Sequence, residues 1–470
     1  MKPSYVRRIS VYVRLLLKSF WSTSPFSYCF LYVYEMKSIF LIFSASFAIL
    51  LARAQSLDVM PIQQELKYAT VLNKHFYGFC LYDLDSNRFL TGINEDKMFT
   101  PASNAKTFTL FAALANLGDS IPGLKYIEHG DSLIFWGTGD PTFLHHRFAA
   151  QKVFDFLKKS EKQLFYVAEE DIEEEFFRKG WAIEDYDEYY QPEISSFPIY
   201  GNVVTFRERE GKIECVPDYF QSTLQYKQNT AVSYVLHRKF DTNIYEHNRA
   251  NPPHKYSNEK PFRYSTELFV KLLSDTLRRE VTCIAYPTPV KRKTIYSHAT
   301  ASLLREMMLP SDNFIAEQFT MLIAQAKYGK FQTARLRSDL MREYYSLFTD
   351  KIDLYDGSGL SSYNKVTPRS MVELLVLVRN NVKDVQALHQ LFPAGGVDGT
   401  LKNAYKLDRN EPFVWAKTGT VHAVHNQSGF LQTRSGRNLA FSFLNTNFLG
   451  DAAPVRREMV RIITFIRQNF

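Results

Sequence analysis

Ser103-Asn104-Ala105-Lys106 places a hydroxyl and an amine three residues apart at the head of an apolar-periodic stretch, TFTLFAALANLGD. On a helix that spacing sets both side chains on one face, one turn apart. A serine hydroxyl is a poor nucleophile until a base takes its proton, and a nearby unprotonated lysine amine can take it. A helix N-terminus also favours the negative charge that develops on the serine oxygen. Spacing alone proves little. A chain of this length should hold about two S-x-x-K stretches by chance, and it holds three. Ser257-Asn258-Glu259-Lys260 runs into Pro261, and Ser362-Tyr363-Asn364-Lys365 lies among Gly, Ser and Pro. Neither heads an amphipathic helix. An activated nucleophile needs a rigid mount, so Ser103 is the candidate.

Two further elements follow in order. Ser311-Asp312-Asn313 precedes FIAEQFTMLIAQA, a second helical pattern, and Lys417-Thr418-Gly419-Thr420 sits in a strand-like run. K-T-G occurs once, where composition gives about a tenth of an occurrence. Alone, S-D-N reads as a helix N-cap and K-T-G as a strand end with a bulge glycine. The ordered set resembles the S-x-x-K, S-D-N, K-T-G pattern of class A β-lactamases and penicillin-binding proteins. Ser362-Tyr363-Asn364 also satisfies S-x-N. Ser311 is preferred because a helix follows it.

The elements that must hold these residues are legible in outline. In HFYGFCLYDLDSNRFLTGINED two apolar-rich runs flank Asp85-Ser86-Asn87, the signature of a β-hairpin. Leu110, Ala113, Leu114 and Leu117 recur at helical spacing, and Gly118 supplies a stop. The C-terminal end reads as strands VWAKTGTV, SGFLQT and NLAFSFLNT, then a helix from Pro454 to Asn469. Strands at both ends with helices between predict an α+β domain whose antiparallel sheet is closed by the two termini. Composition shifts between 144 and 295, where an acidic run (AEEDIEEEFF), tyrosine-rich IEDYDEYYQPE and short strands suggest an inserted, mostly-β domain. The expected division is a leader (1–54), the α+β domain (55–143 plus 296–470) and the insert (144–295).

Charge narrows the partners. The net charge is +8, but residues 1–54 hold seven basic residues and one acidic residue, leaving 50 basic against 48 acidic in the body. That balance gives no electrostatic footprint for nucleic acid. From Met36 the leader reads MKSIFLIFSASFAILLARAQS, the order of a secretory signal peptide over 36–54 with cleavage expected before Gln55. Residues 1–35 then read as an over-extended start. The mature chain is expected to be exported and soluble, with at most peripheral membrane contact. Cys80, Cys215 and Cys283 allow at most one disulfide, with Cys215–Cys283 the suggested pair, and Cys80 reads as a small buried hydrophobe. His145-His146 and the pair His422 and His425 lack a neighbouring carboxylate–histidine motif, so neither a metal nor another cofactor is expected.

The sequence is similar, over nearly all of 55–470, to class C low-molecular-mass penicillin-binding proteins, the D-Ala-D-Ala carboxypeptidase/endopeptidase family. TPASNAK, GTGDPTF, GWAIEDYDEYYQPEISSFPIYGNVV, SDNFIAEQF, YDGSGLSSYNKVTP, AGGVDGTLKN and AKTGTV carry the resemblance. It implies a penicillin-binding/β-lactamase-like domain and peptidoglycan stem peptides ending in D-Ala-D-Ala as substrate, with β-lactams as covalent inhibitors. It implies a periplasmic or cell-wall location. It further implies Ser103 as nucleophile and Lys106 as base, with backbone N–H groups of Ser103 and Thr420 as oxyanion hole. Ser311 and Lys417 would relay a proton to the leaving amine, Asn313 would hold the substrate amide, and Lys417, Thr418 and Thr420 would bind the terminal carboxylate. Two alternatives stay open: a serine β-lactamase, and a non-catalytic wall-binding homologue of the same fold. Against the first, no Glu between S-D-N and K-T-G has an Asn four residues on. An α/β-hydrolase esterase is disfavoured because no G-x-S-x-G occurs.

Overall fold

The computed structural model describes residues 59–168, 175–228, 233–249, 251–286 and 290–470. The leader (1–54) and most of the acidic run lie outside them. Strands β1 (Phe76–Asp83) and β2 (Arg88–Ile93) form the expected hairpin. Its turn contains Asn87 at φ 52°, a left-handed conformation that Asn tolerates better than most residues. Near the other end of the chain, β14 (Val414–Val421), β15 (Val424–Gln432) and β16 (Asn438–Thr446) complete the sheet in the order β14-β15-β16-β1-β2. Every pairing is antiparallel, and β1 runs against β16 from Phe76 opposite Thr446 to Asp83 opposite Leu439. The two ends of the domain therefore meet in one sheet.

Strand alternation divides the sheet's side chains between two covers. Cys80, Phe430, Ala440 and Leu444 join a helical core on one face. That core is built from helices Lys106–Asn116, Asn313–Tyr328 and Pro368–Asn381. The C-terminal helix Ala453–Asn469 packs on the opposite face, where the Asn445 amide meets the Met459 sulfur. The helix ends are chemically marked. The Asp312 carboxylate accepts the Ile315 N–H at 2.8 Å, and Gly329 at φ 71° ends the same helix. Thr367 caps the Pro368 helix reciprocally with Ser370.

A second five-stranded sheet contains β3 (Ser120–His129), β4 (Ser132–Trp136), β5 (Gln163–Tyr166), β12 (Val281–Cys283) and β13 (Lys293–Ala299). Its order is β12-β5-β4-β3-β13, so it draws strands from both sides of the boundary expected at 143. Two small sheets accompany it: β6 (Val203–Arg209) and β7 (Lys212–Val216) with β11 (Ser257–Pro261), and β8 (Leu224–Tyr226), β9 (Leu236–Arg238) and β10 (Tyr245–His247). This lobe has its own core around Phe135, Phe197, Phe206, Tyr245 and Phe269. The suggested Cys215–Cys283 disulfide is absent: both are free thiols, Cys215 buried in β7 and Cys283 exposed in β12 of a different sheet. Among the described residues no helix is long and apolar enough to cross a membrane.

Candidate active site

The chain approaches Ser103 through a bridge between Phe99 and Val366 and then turns sharply. Ala102 sits at φ 47°, a strained position for a residue with a Cβ, and opens a 3-10 turn (Ala102–Ala105) that leads into the Lys106 helix. The surroundings hold that turn in place. The Asn426 amide donates to the Thr100 and Pro101 carbonyls, both at 2.9 Å, and the Asn104 amide donates to Ser428 Oγ at 2.9 Å. Gly359, at φ 85°, lies so close that any Cβ there would overlap the Ala102 carbonyl. Ser103 is left partly exposed, whereas Asn104, Ala105 and Lys106 are buried.

Lys106 Nζ makes three contacts: Ser103 Oγ at 3.0 Å, Asn313 Oδ1 at 2.6 Å and the Ser358 carbonyl oxygen at 2.7 Å. The last two are acceptors only. A neutral amine has two N–H bonds and one lone pair, so donating to both leaves its lone pair for the Ser103 O–H. Burial drives the Lys106 pKa down to about 8, against the opposing charges of Asp356, Asp312 and Glu317. A lysine in that range is partly neutral near physiological pH and can act as a base.

Asn313 is oriented by chemistry at both ends. Its Oδ1 faces the lysine, and its Nδ2 donates to the Tyr190 carbonyl at 3.0 Å. The amide nitrogen carries two hydrogens, so one N–H remains for a further acceptor. Ser311 stands at φ 67°, partly exposed, with no side-chain hydrogen bond among the described residues. The other S-x-N candidate is arranged differently. Ser362 Oγ donates to the Gly180 carbonyl at 3.2 Å, and the Asn364 amide donates to Asp356 Oδ1 at 2.6 Å inside the 356–361 loop.

β14 is the sheet's edge strand, so alternate backbone groups have no strand partner. Gly419 lies against the nucleophile turn, and a Cβ there would stand 2.9 Å from the Ser103 nitrogen. Lys417 is fully buried and donates to the Thr418 carbonyl at 2.7 Å. Burial, and then the charge of Lys106, pull its pKa well below the usual lysine value. Thr418 bonds Thr400 at 2.7 Å. Exposed Thr420 bonds the buried His425 Nδ1 at 2.8 Å. Burial lowers the His425 pKa to about 4, which keeps the imidazole neutral.

The structure thus joins Ser103, Lys106 and Asn313 by direct hydrogen bonds and brings β14 against the same turn. Ser311 has no such link. Sequence reasoning did not find Tyr190, Ser358, Thr400, Glu317 or Asn426. For Asn426 a signal existed: His425-Asn426-Gln427-Ser428 is a polar run inside a strand buried from Val424 to Leu431. His145 is buried and stacked on His146, and its Nδ1 accepts the Arg147 N–H. Among the described residues no cluster of three or more His, Cys, Asp or Glu is placed to hold a metal.

Comparison with known proteins places the chain in a family. The chain is 35% identical over 156 residues to "D-alanyl-D-alanine carboxypeptidase DacB" of Haemophilus influenzae, a match covering 32% of each protein. It is 25% identical over 436 residues to the D-alanyl-D-alanine carboxypeptidase of Actinomadura sp. (strain R39), covering 82% of this chain and 80% of that one. The crystal structure of penicillin binding protein 4 (dacB) from Haemophilus influenzae superposes with a TM-score of 0.70 at 22% identity, covering 88% of this chain and all of the other. A second structure of that protein, complexed with a β-lactam, gives 0.65. These superpositions show the penicillin-binding fold with additional domains. A profile of the D-Ala-D-Ala carboxypeptidase 3 (S13) family matches residues 61–466. Most of the chain lies within that match, and the chain belongs to the D-Ala-D-Ala carboxypeptidase 3 (S13) family.

Proposed function

We propose that the protein is a serine DD-peptidase that cleaves peptidoglycan stem peptides ending in D-Ala-D-Ala. The observation that carries this reading is the contact set of Lys106, whose two fixed acceptors leave its lone pair for Ser103. Ser103 attacks the carbonyl of the penultimate D-Ala while Lys106 takes the hydroxyl proton. Backbone N–H groups of Ser103 and Thr420 hold the oxyanion. A proton passes by way of Lys417 and Ser311 to the leaving amine, the C–N bond breaks, and D-Ala departs. The free Asn313 N–H holds the substrate amide, and Thr418, Thr420 and Lys417 bind the terminal carboxylate. Water then hydrolyses the acyl-enzyme.

A penicillin should acylate the same serine, as the β-lactam complex of the Haemophilus relative suggests. Deacylation should be slow. Glu317, the buried glutamate beside Lys106, accepts Gly357 N–H, Ser358 N–H and Arg178, and like every other Glu between S-D-N and K-T-G it has no Asn four residues on. Cleavage of the leader before Gln55 and residence in the periplasm or cell-wall space complete the proposal. So does a division into a peptidase domain and an inserted lobe, with strands β3 and β4 (Ser120–Trp136) counted in the sheet of the lobe rather than before a boundary at 143. Incubation with a pentapeptide muropeptide and a cross-linked dimer tests it: release of D-Ala or cleavage of the cross-link is expected, and neither product would refute it.

A further inference from the structure

We propose that Arg178 and Glu317 are positioning residues for Lys106, which makes the segment around 178–190 a working part of the catalytic centre. The inference rests on the peptidase reading above. Glu317 lies four residues after Asn313 on the same helix and therefore on the same face. Its side chain and that of Arg178 are almost completely buried, with Nε and Oε2 3.2 Å apart. The other carboxylate oxygen accepts the N–H groups of Gly357 and Ser358 at 2.9 and 2.8 Å. Ser358 contributes the carbonyl that receives Lys106. Glu317 therefore grips the 356–361 loop by its amides, while Lys106 uses a carbonyl of the same loop.

The segment that brings Arg178 holds both fixed acceptors of the lysine. Lys179 offers its carbonyl to Ser361 Oγ at 2.6 Å, and the Trp181 indole donates to Asp356 Oδ2 at 2.9 Å. The Tyr190 carbonyl takes the Asn313 amide and so points its Oδ1 at the lysine. Without these links, the Ser358 carbonyl and Asn313 Oδ1 would be free to drift, and the lone pair of Lys106 would lose its direction toward Ser103.

Charge supplies a second consequence. The groups acting on Lys106 are Asp356 in the loop, Asp312 at the helix N-terminus, Glu317 on the helix and Lys417 on β14. Asp312 is paired with Arg147, and Glu317 with Arg178. Glu317 favours the protonated lysine, so neutralising it should lower the pKa of Lys106.

The test uses the full chain and fluorescent penicillin, with acylation rate constants measured across pH for wild type, Glu317→Gln, Arg178→Gln and the double variant. Each single variant should acylate about 10- to 100-fold more slowly, the scale of a small misplacement of a reacting group. The acid limb of Glu317→Gln should move to lower pH, and the double variant should lose no more than the worse single one. Wild-type rates with an unmoved acid limb, or losses that multiply, would overturn the inference. Should Glu317→Gln fail to fold, Arg178→Gln decides alone by its rate. Wild type that takes no label at Ser103 would overturn the peptidase reading itself. Labelled wild type with unaffected variants would overturn only this inference.

Discussion

Gly419 of β14 and Ser103 of the nucleophile turn are in backbone contact: a Cβ at 419 would stand 2.9 Å from the Ser103 nitrogen and 2.6 Å from the Pro101 carbonyl oxygen. The glycine of K-T-G is therefore explained by proximity rather than by dihedral freedom. The strand that carries Thr418 and Thr420 can lie beside the Ser103 turn only because position 419 has no side chain.

Gly419→Ala should separate β14 from the Ser103 turn. Displacement by about 1 Å at a reacting centre can cost about 10²-fold, and acylation by penicillin should fall on that scale. Stopped-flow acylation together with a thermal melt checks it. An unchanged rate would mean that the strand yields without consequence.

Acylation should rise with pH. The proposed base is the neutral form of Lys106, whose pKa burial brings down to about 8. Below that value the ammonium has no lone pair, so the rate should drop about tenfold per pH unit and level off above it. A rate that stays flat from mildly acid to mildly alkaline pH would exclude Lys106 as the titrating base.

The two S-x-N candidates can be separated by matched substitutions. Ser311→Ala removes a hydroxyl with no partner among the described residues, proposed as a proton relay whose loss should slow acylation about 10²–10⁴-fold. Ser362→Ala removes a surface hydrogen bond to Gly180 and should change the rate little. The reverse ranking, measured on the same penicillin, would transfer the role to Ser362.

Much of this was legible in sequence because it is local. The S-x-x-K helix, the 84–87 hairpin and the three C-terminal strands each follow from periodicity and turn chemistry within about twenty residues. What escaped is held by partners far apart in the chain. Asn313 meets Tyr190 across 123 positions and Asn426 meets Pro101 across 325. A hydrogen bond to a backbone carbonyl leaves no mark in the sequence of its acceptor. The disulfide suggestion failed for the same reason: pairing of Cys215 with Cys283 depends on sheet membership, which spacing does not reveal.

Asn426 offers a stability test of the long-range framework. It is fully buried, donates to Thr100 and Pro101 and accepts the Asn445 N–H at 2.9 Å. Asn426→Ala would leave those groups unsatisfied, at a cost on the order of 3 kcal/mol. Denaturant unfolding measures it, and acylation should fall too because the turn before Ser103 is released. A variant as stable as wild type would show that water replaces the amide.

The central claim is that Ser103 is the nucleophile, and peptide mapping of the penicillin adduct tests it most directly. Trypsin should release Met98–Lys106 as one peptide, since Lys97 and Lys106 bound it. Fragmentation should place the penicilloyl group on Ser103, and Ser103→Ala should take no label while unfolding at the wild-type temperature. An adduct on Ser362 or elsewhere, or labelling that survives Ser103→Ala, would contradict the account.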